Sequence, residues 1–337
     1  MKNYLMHKNI TLTIAWLFMV SFAFTQTQVG SDIDAETSED YSGHSVSIDS
    51  DGSHVAIGAL QNDGNGTSAG HVRIYEYSAG SWSQVGADID GEAAGDNSGT
   101  SVSIDSDGSH VAIGALQNDG NGTSAGHVRI YEYSAGSWSQ VGADIDGEAA
   151  GDGSGYSVSI DSDGSHVVIG ARFNDGSFYN AGHARVYEYS GSSWSQVGSD
   201  INGEAASDYS GTSVSIDSDG SHVAISASAN DGNGTSAGHV RIYEYSAGSW
   251  SQVGADIDGE AAGDNSGTSV SIDSDGSHVA ISASANDGNG TSAGHVRIYE
   301  YSAGSWSQVG ADIDGEAAGD NSGTSVSIDS DGSHVAI

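Results

Sequence analysis

Short runs of alternating apolar and polar residues, set between stretches rich in Gly, Asn and Asp, recur at a fixed period of 56 residues. Trp82, Trp138, Trp194, Trp250 and Trp306 mark the period, and residues 45–96 are identical to residues 101–152. A repeat of this length has to be explained before any single motif. In the second unit, Val102 and Ile104 alternate with serines over 101–105, predicting strand a. Val111 and Ile113 do the same over 110–115, predicting strand b. Asp107-Gly108 between them signals a two-residue hairpin with both turn residues at positive φ. Residues 127–133 predict strand c and 138–144 strand d, with polar loops at 117–126 and 145–155. No segment has helical periodicity.

Four short antiparallel strands at constant period describe one blade of an all-β β-propeller. Small residues such as Ser101, Ser103, Ala112 and Gly114 suit close packing of one sheet on the next. The repeat domain spans 28–337. It opens on a lone strand d at 28–32, followed by five full units and strands a and b of a sixth. The chain stops inside a hydrophobic strand. The expectation is therefore a C-terminally truncated reading frame, with six or seven blades in the intact protein.

Charge narrows the choice of partner. Acidic residues outnumber basic ones 46 to 8, for a formal net charge of −38. Such a surface repels phosphate backbones and anionic lipid, so no nucleic-acid partner is expected. The absence of Cys removes disulfides, thiolate metal sites and a cysteine nucleophile. Lys2 and Lys8, the apolar run over 10–24 and the small residues Ser21 and Ala23 read as a secretory signal peptide over 1–23. Its removal takes away both lysines, and no later segment predicts insertion into a membrane. The expected location is outside the cell or on its surface, for a bacterial protein.

The run S-G-T-S-V-S-I-D-S-D-G-S-H-V-A-I-G-A, followed by G-H-V-R-I-Y-E-Y, resembles the FG-GAP repeat. This is the repeat of integrin α-like β-propellers and of many secreted bacterial proteins. Ser98-Gly99 stands where that family has Phe-Gly, and Ile113-Gly114-Ala115 where it has Gly-Ala-Pro. The resemblance covers about 28–337 and implies a secreted or cell-surface binding role. It also raises calcium as the one cofactor to consider. The family's calcium loops carry D-x-D-x-D-G-x-x-D between strands a and b. Here the turn keeps two of those carboxylates: Asp49 and Asp51, Asp105 and Asp107, Asp161 and Asp163, Asp217 and Asp219, Asp273 and Asp275, Asp329 and Asp331. Calcium takes six to eight oxygens, so a plain Asp-Gly hairpin competes with a calcium site at each turn.

Loops d–a and b–c leave the same end of a blade. Asp63, Asp88, Asp90, Glu92 and Asp96 therefore gather on one rim, either as a solvated face or as a cation-binding ring. Histidines begin strand b (His54 and copies) and strand c (His71 and copies), at opposite ends, without His–His metal spacing. They read as capping residues. The repeated Trp reads as an outer-strand packing residue beside Tyr75 and Tyr77.

The third unit breaks the pattern. It carries Arg172, Phe173, Phe178 and Tyr179 in its b–c loop and Tyr156 ahead of strand a. Arg172 is the one base after the signal segment that lies outside strand c. These five residues are the candidate ligand-binding set, since aromatic and Arg side chains anchor binding surfaces; drift in a surface loop is the competing account. Repetition of the same residues leaves few unique groups for an asymmetric catalytic site. The expectation is a non-catalytic binding or adhesion module for an extracellular protein or glycan. A passive spacer is the alternative, and a polysaccharide-active hydrolase or lyase ranks third.

Overall fold

The computed structural model describes residues 27–337, so the signal-peptide reading of 1–23 lies outside the described residues. The first unit forms β1 (Ser42–Ile48), β2 (His54–Ala59), β3 (His71–Ser78), β4 (Ser81–Gln84) and β5 (Ile89–Asp90). The second repeats them as β6 (Ser101–Ile104), β7 (His110–Ala115), β8 (His127–Ser134), β9 (Ser137–Gln140) and β10 (Ile145–Asp146). All pairings within these sheets are antiparallel. Five such sheets follow one another, and Ser327–Ile328 with Val335–Ala336 makes a two-stranded sixth. This is the expected all-β propeller.

Strand d departs from the prediction. It is two short strands, both paired with strand c, with a break at 85–88. Gly86 turns the break with φ +74, and a Cβ there would stand 2.8 Å from the Trp138 ring of the next unit. The break is thus the socket into which the following blade inserts its tryptophan. The a–b turn differs too. At 105–108 only Gly108 takes positive φ, so the loop is not the predicted two-residue hairpin. It is a longer turn closed by Asp105 N–H donating to His110 O at 3.0 Å, with glycine at the one left-handed position.

The core lies between sheets. Val72 and Ile74 of one unit pack with Val102, Ile104, Val111 and Ile113 of the next, and Tyr131 and Trp138 seal the edge. Burying each Val or Ile stabilises by about 1.5–3 kcal/mol. Sheet-on-sheet contact is what hides them: Val102 and Ile104 are 8% and 7% exposed, whereas Val46 and Ile48, their copies on β1, are 63% and 59% exposed. Close approach depends on the small residues. Ser103 Oγ accepts from Ile160 N–H at 3.1 Å, and a Cβ on Gly114 would lie 2.1 Å from Gly155 O.

Strands a converge on one axis. The Ile-Asp-Ser that ends each of them, from Ile48-Asp49-Ser50 to Ile328-Asp329-Ser330, lines an axial cavity of about 460 Å³. A ladder of serines links neighbouring units there: Ser106 Oγ donates to Ser162 O at 2.6 Å, and Ser162 Oγ to Ser218 O at 2.6 Å. At the opposite end of the blades, loops b–c and d–a pack together as expected. Asn65 Nδ2 donates to Gly91 O at 2.7 Å, and Gly70 bridges Ser98.

Candidate functional site

Three recurring or unique constellations carry polar chemistry, and they differ in how fully their groups are engaged. At the a–b turns, Asp105 is 2% exposed. Its Oδ1 accepts His110 N–H at 2.9 Å; its Oδ2 meets His110 Nδ1 at 2.7 Å and accepts Ser109 Oγ at 3.1 Å. Asp107 is exposed and accepts Ser109 N–H at 3.0 Å. The Asp49/Asp51, Asp161/Asp163, Asp217/Asp219, Asp273/Asp275 and Asp329/Asp331 turns repeat the Asp–His contact and the Ser N–H cap. Asp105, Asp161, Asp273 and Asp329 therefore engage both oxygens on their own hairpins, whereas Asp49 Oδ1 and Asp217 Oδ1 are buried without a partner. Serine and aspartate both meet the same imidazole nitrogen, Nδ1, so the group is a turn staple and lacks the relay geometry of a nucleophile, base and orienter. The Asp105 hydrogen bond raises the His110 pKa despite burial. Burial opposes ionisation of Asp49, but bonds from His54 and Ser53 hold its carboxyl below the usual range.

The second constellation sits at the loop end, between blades. The His127 side chain is 1% exposed, and neither ring nitrogen has a hydrogen-bond partner. Its Nδ1 stands 3.8 Å from Glu92 Oε2 and 3.9 Å from Asp144 Oδ2. Burial, and then the charge of Arg129, lowers its pKa; in His183 and His239 the same causes bring it to about 4. The imidazole is therefore neutral around pH 7. Arg129 lies over the Tyr131 ring at 5.5 Å and donates to Asp90 O at 2.8 Å. His–His spacing alone gives these strand-c histidines as edge caps; the structure sets each beside one Glu and one Asp instead. The signal was available: Asp88, Glu92 and the strand-c histidine all belong to the same end of the blade.

The third is unique to unit three. Arg172 lies 4.7 Å over Tyr156, 5.0 Å over Phe173 and 4.8 Å over Tyr209. Its Nη1 donates to Tyr156 Oη at 2.9 Å, while its Nε is buried without a partner. Phe173 meets Tyr156 and Tyr209 edge-on at 6.2 and 5.9 Å. Three of the five predicted residues thus come together. Phe178 and Tyr179 stand out in solvent at 53% and 68% exposure. Tyr209, from the loop that leads into unit four, completes the cage and was not singled out in the sequence. It replaces the Asn at 97 and 265, and that substitution was the visible signal. The tryptophans behave as packing residues: Trp138 stacks against Tyr133 at 5.1 Å.

No family model and no curated protein matches the chain. Solved structures do. A protein of Bacteroides uniformis assigned as a 6-phosphogluconolactonase superposes with TM-score 0.59 at 11% identity, covering 87% of this chain and 76% of its own. Hydrazine synthase of Kuenenia stuttgartiensis gives 0.56 at 13% identity, with coverage of 86% and 78%. The periplasmic gluconolactonase PpgL of Pseudomonas aeruginosa gives 0.54 at 14% identity, with coverage of 82% and 73%. At these identities the likeness shows the fold alone, and the fold is one that enzymes use. This corrects two expectations. The non-catalytic binding or adhesion role, with its spacer alternative, does not stand against a scaffold shared with lactonases. Nor does the inference from repetition that the chain is not an enzyme. Repetition fixes the blades, and one altered loop is enough to place unlike residues together at the loop end of a blade.

Proposed function

We propose that the chain is a hydrolase of sugar lactones, with the reacting group held at the Arg172 cage. One observation carries this reading. Arg172, Tyr156 and Phe173 from one unit and Tyr209 from the next converge on a single asymmetric site, in a chain whose other blades repeat one another. The lactonase names of two fold relatives supply the reaction class. In that reaction water adds to the lactone carbonyl carbon, the ring C–O bond breaks, and the water proton passes to the ring oxygen to leave a hydroxy acid. The carbonyl oxygen gains negative charge on the way. A guanidinium oriented by aromatic faces and by Tyr156 Oη is a preorganised donor for that charge. The sugar face can lie on Tyr or Phe rings. The product is an anion, and the acidic surface around the site favours its departure.

The five predicted ligand residues enter this reading as two groups: Tyr156, Arg172 and Phe173 hold the reacting end, and Phe178 and Tyr179 offer exposed apolar surface next to it in sequence. Export through the 1–23 segment belongs to the same proposal, on the strength of Lys2, Lys8 and the apolar run that follows. The FG-GAP resemblance rests on the residues quoted for it. The test is continuous titration of acid release from gluconolactone and related lactones, corrected for spontaneous hydrolysis. Saturable release above the buffer rate is expected, and release no faster than buffer for every lactone tried overturns the reading.

A further inference from the structure

We infer that the five His–Glu–Asp clusters between blades are divalent transition-metal sites, of the kind that takes Zn²⁺. Five clusters share the arrangement, with His71, His127, His183, His239 and His295 each beside one Glu and one Asp whose ligand atoms lie within 4.8 Å of one another. They use none of the residues of the Arg172 cage.

The second cluster shows why an ion fits. The separations of 3.8 and 3.9 Å from His127 Nδ1 to the carboxylate oxygens are too long for hydrogen bonds. They are only slightly wider than the ~3.3 Å between ligands on a tetrahedral zinc with bonds of about 2.0–2.1 Å. The other oxygen of Asp144 is already hydrogen-bonded, and that of Glu92 faces a guanidinium beyond hydrogen-bond distance. Glu92 Oε1 faces Arg129 Nη1 at 3.8 Å, and Asp144 Oδ1 accepts Gln140 Nε2 at 2.6 Å. The Asp144 carboxylate is thereby turned so that its Oδ2 faces the imidazole, the outer-shell arrangement that metal ligands need. Gln84–Asp88 and Gln252–Asp256 repeat it at 2.6 Å. Burying an imidazole with neither nitrogen bonded is costly unless something fills the gap.

The donor set decides the ion. One neutral nitrogen and two carboxylates suit Zn²⁺ or a similar borderline cation and balance its charge, whereas calcium demands more oxygens. Three protein ligands leave a fourth position for water.

The experiment is calorimetric titration of the whole metal-stripped protein with Zn²⁺. Co²⁺ absorption in the visible serves as a second readout of nitrogen–oxygen coordination. Five ions per chain are expected, with dissociation constants of about micromolar or tighter. His127→Gln should lower the count from five to four. Glu92→Gln, a near-isosteric change on a side chain 44% exposed, should do the same or weaken one site at least tenfold. Asp107→Asn should leave the count at five. No uptake by the wild type, or a count that neither His127→Gln nor Glu92→Gln lowers, overturns the inference.

Discussion

Trp138 Nε1 donates to Val85 O at 2.8 Å, across the junction between the second blade and the first. The bond fills the break in strand d and ties consecutive units at their outer edge, as the serine ladder ties them at the axis. Trp138→Phe removes the donor and keeps most of the ring. It should cost about 1 kcal/mol, read as a lower urea midpoint. Trp82→Phe should cost less, because its bond to Val29 O is exposed. Equal losses at the two positions would show that the bond contributes nothing beyond the ring.

Close approach of sheets makes a second prediction. Gly155 has φ +83, and a Cβ there would sit 2.6 Å from His127 O and 3.0 Å from Gly114 Cα. Gly151 has φ +89 with nothing within 4 Å. Alanine at either pays about 1–2 kcal/mol for the left-handed backbone. Only Gly155→Ala also forces two blades apart. Its midpoint should fall well below that of Gly151→Ala, and equal midpoints would mean that the blades separate at little cost.

Serine in place of Gly114 should cost less than valine. The chain itself has Ser226 and Ser282 at that position, both fully buried, with Ser226 Oγ accepting Ser213 N–H at 2.9 Å. A Cβ at 114 would stand 2.1 Å from Gly155 O, so Gly114→Ser forces that carbonyl to shift and should lower stability by about 1–3 kcal/mol, while the larger Gly114→Val should cost more. A serine as damaging as valine would show that units four and five reach their packing by some compensation elsewhere.

Two classes of histidine predict the pH response. His110, His166 and His222 have pKa values raised by their aspartates. The stability they contribute is complete below the unfolded value of about 6.5 and is lost as pH rises through the folded value. His127, His183, His239 and His295 are held low by burial, His183 and His239 to about 4. Below about 6.5 the unfolded chain takes up protons that the folded chain refuses, so stability falls as pH drops from there toward 4. In the metal-free protein the midpoint should therefore peak near pH 6–7 and decline on both sides. Two families of imidazole shifts, titrating above and below 6.5, should appear by NMR. A single family would contradict the assignment.

The sequence disclosed the strands because period-two alternation survives in every unit; His110–Ala115, for instance, lies where Val111 and Ile113 place it. The break in strand d stayed hidden, because what fills it is a tryptophan 53 residues further on, and no local pattern encodes a socket. The Arg172 cage was half legible. Arg172 and Phe173 stand out against the repeat, but Tyr209 belongs to the next unit, and contact across the junction is a property of the ring. Phe178 and Tyr179 looked equivalent to Phe173 in the sequence. They differ in place: Phe173 lies just past strand b and packs on Arg172, whereas Phe178 and Tyr179 lie further along the loop, in solvent. The His–Glu–Asp clusters escaped for a related reason: Glu92 precedes strand a, His127 opens strand c and Asp144 lies in the break of strand d, and only sheet stacking brings them together.

The central claim is that the asymmetric cage does chemistry. Tyr156→Thr, Arg172→Leu and Phe173→Gln together install the residues found at 100, 116 and 117 of the second unit, so the triple variant keeps a blade the chain already builds. The decisive measurement is kcat/KM for gluconolactone hydrolysis by wild type and by this variant. The account predicts saturable hydrolysis by wild type and a loss of about 100-fold or more in the variant, with Tm within a few degrees. Equal rates in the two proteins would contradict it.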